Sequence, residues 1–237
     1  MREYLAALAL ALVALVCCAA DVRASGKAVT FPSIDGTSLA GEIYEASSRP
    51  APGVVLVHMQ SRNKADWKDL ADDLRDAGLT ALAIDLRGHG GSSGSRENLP
   101  AMVQDVKGAV QWLSARQGVR PGNIGIVGAS LGANLALLAA VELPLVRAVA
   151  LLSPSLDYRG LRIDAGVLRK TAGLAVWMAA GTKDPFSLRT LKELTTSGSG
   201  GREQRLVEGA VHGMALLTAD REIGRALVDW LRRSLLS

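Results

Sequence analysis

The chain has 237 residues, 49% of them apolar, which is enough for one domain with a substantial core and too few for two domains of usual size. Its 27 basic and 23 acidic residues leave a net charge of +4, and no basic run is long or interleaved with aromatic residues. This distribution argues against a nucleic-acid groove, and we expect no nucleic-acid partner.

The N-terminal segment, residues 1–24, differs in composition from the rest of the chain. Arg2 precedes a continuous apolar run over residues 5–16, and small residues follow that run. This order is typical of an export signal, and the small-residue rule allows cleavage after Ala20 or after Ala24. The sequence therefore predicts a periplasmic or extracellular protein.

Cys18 offers an alternative fate for this segment, because a lipid could be attached there to form a membrane anchor. An uncleaved anchor is a third alternative, although the apolar run is shorter than the ~20 residues that a membrane span needs. Both cysteines, Cys17 and Cys18, lie in the segment. The expected mature domain, residues 25–237, would therefore lack disulfides and cysteine ligands, and with three histidines and no H-E-x-x-H motif we expect no metal site.

Short apolar segments rich in β-branched residues alternate with helix-type periodicity over the rest of the chain. The predicted strands are 28–34, 39–45, 53–58, 79–84, 124–127, 146–152, 174–180 and 204–207. The turn signal at Asp35 and Gly36 predicts that the first two strands form an antiparallel hairpin.

Helix patterns lie between the later strands. They centre on residues 67–77, 103–113, 131–143, 185–196 and 223–231, and an irregular insert covers 154–173. Strands that alternate with helices at this spacing predict an α/β fold, a mostly parallel, doubly wound sheet with helices on both faces. The helix at 131–143 is apolar nearly all round, which predicts that it is buried against the sheet.

A serine lies at the apex of a predicted strand–turn–helix unit. Gly128, Ser130 and Gly132 form the pattern G-x-S-x-G between the strand at 124–127 and the apolar helix. Glycines on both sides remove side chains that would clash in so tight a turn. Ser92 also lies in a G-x-S-x-G match, but a Gly/Ser-rich loop surrounds it and no helix follows directly, so Ser130 is the predicted nucleophile.

Polar residues follow three further strands, at the sheet edge where parallel sheets carry their active groups. Asp184 follows the strand at 174–180, His212 follows the strand at 204–207, and the run from His58 to Gln60 follows the strand that starts at Gly53. A serine hydroxyl needs a base to take its proton, and a carboxylate orients a histidine base. The chain order serine, aspartate, histidine is that of the α/β-hydrolases.

These segments together resemble the α/β-hydrolase superfamily over about residues 28–237. The turn at Ser130, the G-T-K-D-P segment around Asp184 and the G-A-V-H-G segment around His212 look like its nucleophile elbow, acid loop and histidine loop. The D-L-R-G-H-G run that starts at Asp85 resembles its D-x-R-G-x-G-x-S loop. The pattern is most similar to dienelactone-hydrolase-like proteins and small serine esterases, with serine where dienelactone hydrolases carry cysteine.

The resemblance implies a role for each residue of the site. Ser130 is the expected nucleophile, His212 the base and Asp184 the acid, while Asp157 is the alternative acid because some relatives place it after an earlier strand. The backbone N–H of Leu131 is expected to hold the oxyanion.

Met59 or Gln60 is expected to supply the second oxyanion amide, and we leave the choice open because many relatives carry a glycine where this chain has Met59. His58 is expected to buttress that loop and His89 to be a hydrogen-bonded loop residue. Asp85 is expected to be structural, either paired with Arg87 or capping loop amides.

The insert at 154–173 is too short for a multi-helix lid, so the expected site is open and suited to short-chain or soluble esters. The expected apolar walls are Met59, Leu156, Tyr158 and Met214. The mechanism implies no cofactor, and apart from the N-terminal anchor we expect no membrane partner. Peptidase or thioesterase activity with the same triad is the alternative, a non-catalytic exported binding protein is another, and the oligomeric state stays open.

Overall fold

The computed structural model describes residues 26–170, 173–196 and 201–236. The expected export signal at 1–24, with its cleavage sites and Cys18, lies outside these residues. The described residues form an eight-stranded sheet with helices on both faces and a separate two-stranded hairpin.

The sheet begins antiparallel and continues parallel. The strands of the described residues are β1 (Lys27–Pro32), β2 (Ser38–Tyr44), β3 (Ala51–Val57), β4 (Thr80–Ile84), β5 (Val119–Ala129), β6 (Val146–Leu152), β7 (Asp157–Tyr158), β8 (Leu161–Arg162), β9 (Ala175–Gly181) and β10 (Arg202–Val207). The order in the sheet is β1-β2-β4-β3-β5-β6-β9-β10, with antiparallel pairing of β1 with β2 and of β2 with β4, and parallel pairing from β4 onward. This confirms the predicted opening hairpin and the mostly parallel sheet.

Helices cover both faces of the sheet, which is why every residue of β3 and β4 is buried. After a 3₁₀ turn at Lys64–Trp67, the helices of the described residues are α1 (Lys68–Asp76), α2 (Leu99–Ser114), α3 (Leu131–Ala140), α4 (Ala165–Leu168), α5 (Pro185–Thr195), α6 (Ala215–Ala219) and α7 (Arg221–Leu236). Helices α2, α3 and α5 pack on one face of the sheet, and α1 and α7 on the other.

The central unit of the fold is β5 followed by α3. As predicted, α3 is buried nearly all round, although it ends at Ala140 and not at Leu143. Strand β5 begins at Val119, five residues before the predicted start at Ile124. Gly122 has a φ of 75°, and the pairing of β5 with both neighbours shifts register near Ile124, so turn-like residues interrupt the strand without ending it.

The predicted insert at 154–173 contains regular elements where the sequence predicts an irregular segment. Its described residues include the β7–β8 hairpin and the single-turn helix α4. Within the described ranges, none of the helices is both long and apolar enough to cross a membrane.

Candidate active site

Ser130 occupies the turn between β5 and α3 in a strained conformation. Its φ of 50° and ψ of −115° lie where few non-glycine residues are found. A Cβ atom on Gly128 would collide with the carbonyl of Gly132, and one on Gly132 would collide with the carbonyl of Val57. Both flanking positions therefore require glycine so that the turn, α3 and the end of β3 can approach one another.

In the structure, two hydrogen bonds that share the His212 ring link Ser130 to Asp184. His212 Nε2 lies 2.9 Å from Ser130 Oγ, and His212 Nδ1 lies 2.7 Å from Asp184 Oδ2. The three residues follow β5, β10 and β9, whose carboxyl ends meet at the same edge of the sheet. Since the Nδ1 proton of His212 is donated to the carboxylate, Nε2 is free to accept the serine proton.

The Asp184 carboxylate is held by further contacts at the start of α5. Ser187 donates to it twice, through Oγ to Oδ2 at 2.7 Å and through its backbone N–H to Oδ1 at 3.2 Å. Burial alone would raise the pKa of Asp184, but the hydrogen bonds from His212 and Ser187 outweigh burial and the pKa lies below its usual range. Asp184 is therefore ionised at neutral pH.

The loop that carries His212 is fixed from β6 by a residue that the sequence analysis missed. Ser153 Oγ accepts a hydrogen bond from the backbone N–H of Gly213 at 2.9 Å, and Ser153 is 1% exposed. Its φ of 52° is strained for a serine. Ser153 directly follows β6, so the rule that singles out polar residues after strands could have found it.

The loop after β3 is organised by His58, which is fully buried. His58 Nε2 accepts from the N–H of Leu86 at 3.1 Å, so the ring proton is on Nδ1 and is donated to the carbonyl of Met59 at 2.8 Å. Burial, with the neighbouring His89 ring, lowers the pKa of His58 to about 4. His58 is therefore neutral at pH 7, as this pair of hydrogen bonds requires.

Those contacts fix the direction of the Met59–Gln60 peptide. The Met59 carbonyl accepts from His58 and also from the N–H of Arg62 at 3.2 Å. Among the described residues the only cis peptide precedes Pro50, so this peptide is trans and the N–H of Gln60 points opposite to the Met59 carbonyl.

The four expected wall residues surround this edge of the sheet, each half-buried. Met59 and Met214 pack against the apolar cluster that underlies α7, and the sulfur of Met59 lies against Gly213. Tyr158 packs against the opposite cluster, and its hydroxyl lies 3.5 Å from Gln60 Oε1. Leu156 precedes the hairpin, and its carbonyl accepts from the N–H of Ile163.

Ser92, the serine of the second G-x-S-x-G match, and Asp157, the alternative acid, both make contacts away from His212. Ser92 Oγ accepts from the N–H of Ala40 at 2.8 Å and donates to the carbonyl of Asp85 at 2.6 Å. Asp157 accepts from the N–H of Gly160 inside the hairpin. The structure thus brings Asp184 to His212, and it does not bring Asp157 there.

In the loop after β4, the charged residues Asp85 and Arg87 do not pair with each other. Asp85 contacts the Lys64 ammonium at 2.6 Å and caps the N–H of Gly91 at 2.9 Å, so the expected pairing with Arg87 is wrong and the capping role is correct. Arg87 instead binds the fully buried Asp105 at 2.6 Å, across to α2. His89 Nδ1 lies 3.0 Å from the carbonyl of Arg87, as expected of a loop residue.

No group of three or more histidine, cysteine, aspartate or glutamate side chains is arranged to hold a metal ion among the residues that the structure describes. The expectation that the protein needs no metal or cofactor stays a prediction.

Comparisons with known proteins agree with this architecture. The family model Hydrolase_4, described as serine aminopeptidase, S33, matches residues 48–214. The chain is 29% identical to the uncharacterized protein Rv2307c of Mycobacterium tuberculosis over 236 residues, 92% of this chain and 82% of that protein. It is 35% identical to the polyketide transferase ATR5 of Stachybotrys chlorohalonatus over 136 residues, 55% of this chain and 45% of that protein.

Solved structures share the fold at lower identity. The α/β hydrolase GrgF from a Penicillium species superimposes with a TM-score of 0.76 at 18% identity, covering 89% of this chain and 99% of that one. A dienelactone hydrolase from Anabaena variabilis superimposes with a TM-score of 0.73 at 20% identity, covering 89% of this chain and 98% of that one. From the matched family model and this shared fold, the chain belongs to the Hydrolase_4 family of α/β-hydrolases.

Proposed function

We propose that this protein is a serine hydrolase that cleaves carboxylic esters through an acyl-enzyme. The observation that carries the proposal is the continuous row from Ser130 Oγ through His212 to Asp184, with contacts of 2.9 and 2.7 Å. A nucleophile, a base and an orienting carboxylate in this geometry are what acyl transfer at a serine requires.

In the first half of the reaction, Ser130 Oγ attacks the substrate carbonyl carbon as His212 Nε2 takes the hydroxyl proton. The ionised Asp184 stabilises the imidazolium that forms. When the tetrahedral intermediate collapses, His212 gives this proton to the leaving alcohol. A water molecule then repeats the sequence on the acyl-enzyme, with its proton passing through His212 back to Ser130 Oγ, and releases the acid.

Two backbone amides are proposed to hold the oxyanion. The N–H of Leu131 lies in the first turn of α3, where helix N–H groups lack intrahelical partners and the helix dipole favours negative charge. The direction of the Met59 carbonyl favours Gln60 over Met59 as the second donor. Such a donor contributes about 3 kcal/mol to transition-state stabilisation.

The proposed substrates are short-chain or soluble esters. Between β6 and β9 the described residues contain only the β7–β8 hairpin and one turn of helix, which is too little to enclose a long acyl chain. The half-buried Met59, Leu156, Tyr158 and Met214 offer apolar contact without a closed tunnel. A clear preference for long-chain triglycerides would contradict this part of the proposal.

The same row of residues could cleave a peptide or a thioester, and the family description of a serine aminopeptidase favours testing peptides. A panel of short esters, acyl thioesters and aminoacyl amides separates these activities by their kcat/KM values. The ester proposal predicts that the esters rank first. A non-catalytic binding protein would cleave none of them.

The experiment that tests the proposal compares the wild-type protein with Ser130→Ala and Ser92→Ala. Both serines lie in G-x-S-x-G matches, but the hydroxyl of Ser130 contacts a histidine ring, whereas the hydroxyl of Ser92 bonds the backbone of Ala40 and Asp85. We expect ester hydrolysis and fluorophosphonate labelling to vanish in Ser130→Ala and to persist in Ser92→Ala. Full activity in a folded Ser130→Ala protein would refute the proposal.

We further propose that the protein is exported, by cleavage of the N-terminal segment or by lipidation at Cys18. The intact mass of the protein purified from its native host distinguishes a cleaved, a lipidated and a full-length chain. A full-length, unmodified mass would contradict export by either route.

A further inference from the structure

A cleft of about 540 Å³ is lined in part by Gln60, which belongs to the proposed oxyanion loop, and we call it the Gln60 cleft. Its lining residues come from the Gln60 loop, the segment that leads into α2 and the tip of the β7–β8 hairpin. They are Gln60, Arg96, Glu97, Leu99, Pro100 and Arg159.

The charges of this cleft are not neutralised by one another. Within the described ranges, Arg96, Arg159 and Glu97 form no side-chain hydrogen bond or ion pair, and all three are exposed. Two positive charges against one negative leave the cleft with a net charge of +1. A concave surface focuses such a charge toward a ligand.

Arg159 projects from a turn whose backbone is tightly specified. Its φ of 50° and the φ of 94° at Gly160 form the two-residue turn between β7 and β8. The N–H of Gly160 donates to Asp157 Oδ1 at 2.6 Å. The backbone position of Arg159 is therefore fixed by the hairpin.

Asn134 ties this hairpin to the helix that begins beside Ser130. Its Nδ2 donates to the carbonyls of Ser155 at 2.7 Å and Leu161 at 2.8 Å, and its Oδ1 accepts from the N–H of Ser155 at 3.2 Å. Asn134 is fully buried in α3. Because both polar atoms of this buried amide are hydrogen-bonded to the hairpin backbone, Asn134 holds the hairpin in a fixed position relative to Ser130.

We propose that the Gln60 cleft binds an anionic group of the substrate, with Arg96 and Arg159 as the residues that recognise a carboxylate. This inference rests on the proposed function, because it assigns a substrate class to the same site. Guanidinium groups pair favourably with carboxylates, and Glu97 opposes this preference. The preferred substrates are therefore soluble esters that carry a carboxylate on their acyl or their alcohol part.

Two matched pairs of esters distinguish the two positions of the carboxylate. Monophenyl adipate against phenyl hexanoate places the charge on the acyl part, and 4-acetoxybenzoate against 4-acetoxybenzamide places it on the leaving group. The measured quantity is the ratio of kcat/KM for the anionic ester to kcat/KM for its neutral partner. The pair whose ratio responds to the cleft variants identifies the part that enters the cleft.

The variants change the charge in both directions. An exposed ion pair changes an equilibrium by about two- to fivefold, so we expect Arg96→Gln and Arg159→Gln each to lower the ratio about threefold for one ester pair. Glu97→Gln should raise it by a similar factor. The matched control is Arg162→Gln, in the same hairpin but outside the cleft lining, which should leave the ratio unchanged.

Raised salt should reduce the wild-type ratio and leave that of the double variant of Arg96 and Arg159 nearly constant. The inference is overturned if neutral esters are cleaved in a Ser130-dependent way while neither ratio responds to the cleft variants, or if the control changes the ratios equally. Failure of the proposed function gives a different result, which is loss of all ester turnover and of fluorophosphonate labelling at Ser130.

Discussion

Two substitutions of Ser153 are expected to rank differently in stability and in activity. The reason is that this buried serine both hydrogen-bonds the histidine loop and has a strained backbone. In Ser153→Ala, the N–H of Gly213 loses its partner at 2.9 Å inside the protein. An unsatisfied buried N–H costs about 1–3 kcal/mol of unfolding free energy, and the positive φ of 52° stays with alanine. In Ser153→Gly the hydrogen bond is also lost, but about 1 kcal/mol of backbone strain is relieved.

We therefore expect Ser153→Ala to be less stable than the wild type by about 2 kcal/mol and Ser153→Gly to be less destabilised. Activity should follow a different order. Both variants free the loop that places His212 at 2.9 Å from Ser130, so both should lose about tenfold or more in kcat.

Urea unfolding and initial rates on a neutral short-chain ester measure the two quantities. The KM should change less than kcat, since the Ser153 hydroxyl contacts the histidine loop and not the proposed substrate walls. If both variants are destabilised as expected but retain wild-type kcat, Ser153 is purely structural and the reasoning fails.

Three further predictions use single substitutions. Asp184→Asn should lower kcat by about 10³–10⁴-fold with little change in fold, because the amide does not fix the required tautomer of His212; a loss below tenfold in steady-state assays would contradict that role. Folded His58 has a pKa of about 4, below its unfolded value near 6.5, so its contribution to stability is complete above pH 6.5 and about 3 kcal/mol is lost as the pH falls to 4. Chemical unfolding across this range should therefore give a flatter pH dependence for His58→Gln, and an unchanged slope would refute the prediction. Asp105→Asn leaves the guanidinium of Arg87 poorly compensated and should cost about 3–5 kcal/mol, measured by urea unfolding, whereas a loss under 1 kcal/mol would show the pair to be dispensable.

The sequence predicted the sheet well because local patterns determine its strands. β3 and β4 are short apolar runs bounded by turn signals, and α3 is apolar all round, so each has only one favourable environment. The start of β5 was less predictable. Pro121 and Gly122 are turn residues, yet pairing with β3 resumes across them through a bulge.

The residues of the site were predictable where position along a strand determines them. Asp184 and His212 follow strands whose ends meet, and the structure brings both to Ser130. Contacts between distant segments were not predictable in the same way. The link from Ser153 to Gly213 depends on how β6 and the loop after β10 lie in three dimensions.

Charge pairing was ambiguous for the same reason. Asp85 and Arg87 are two residues apart, but they lie in the irregular loop after β4 and not in a strand, so their spacing does not determine which groups their side chains meet. Each therefore finds a distant partner, Lys64 for the aspartate and Asp105 for the arginine. Sequence proximity gave no information about this choice.

The central claim is that Ser130 forms the covalent acyl intermediate. Its most direct test is peptide mapping by mass spectrometry after reaction with diethyl 4-nitrophenyl phosphate, which phosphorylates activated serines. We predict one diethylphosphoryl group, located on Ser130 and lost when His212 is replaced by alanine. No adduct on the folded protein, or an adduct on Ser92, would contradict the account.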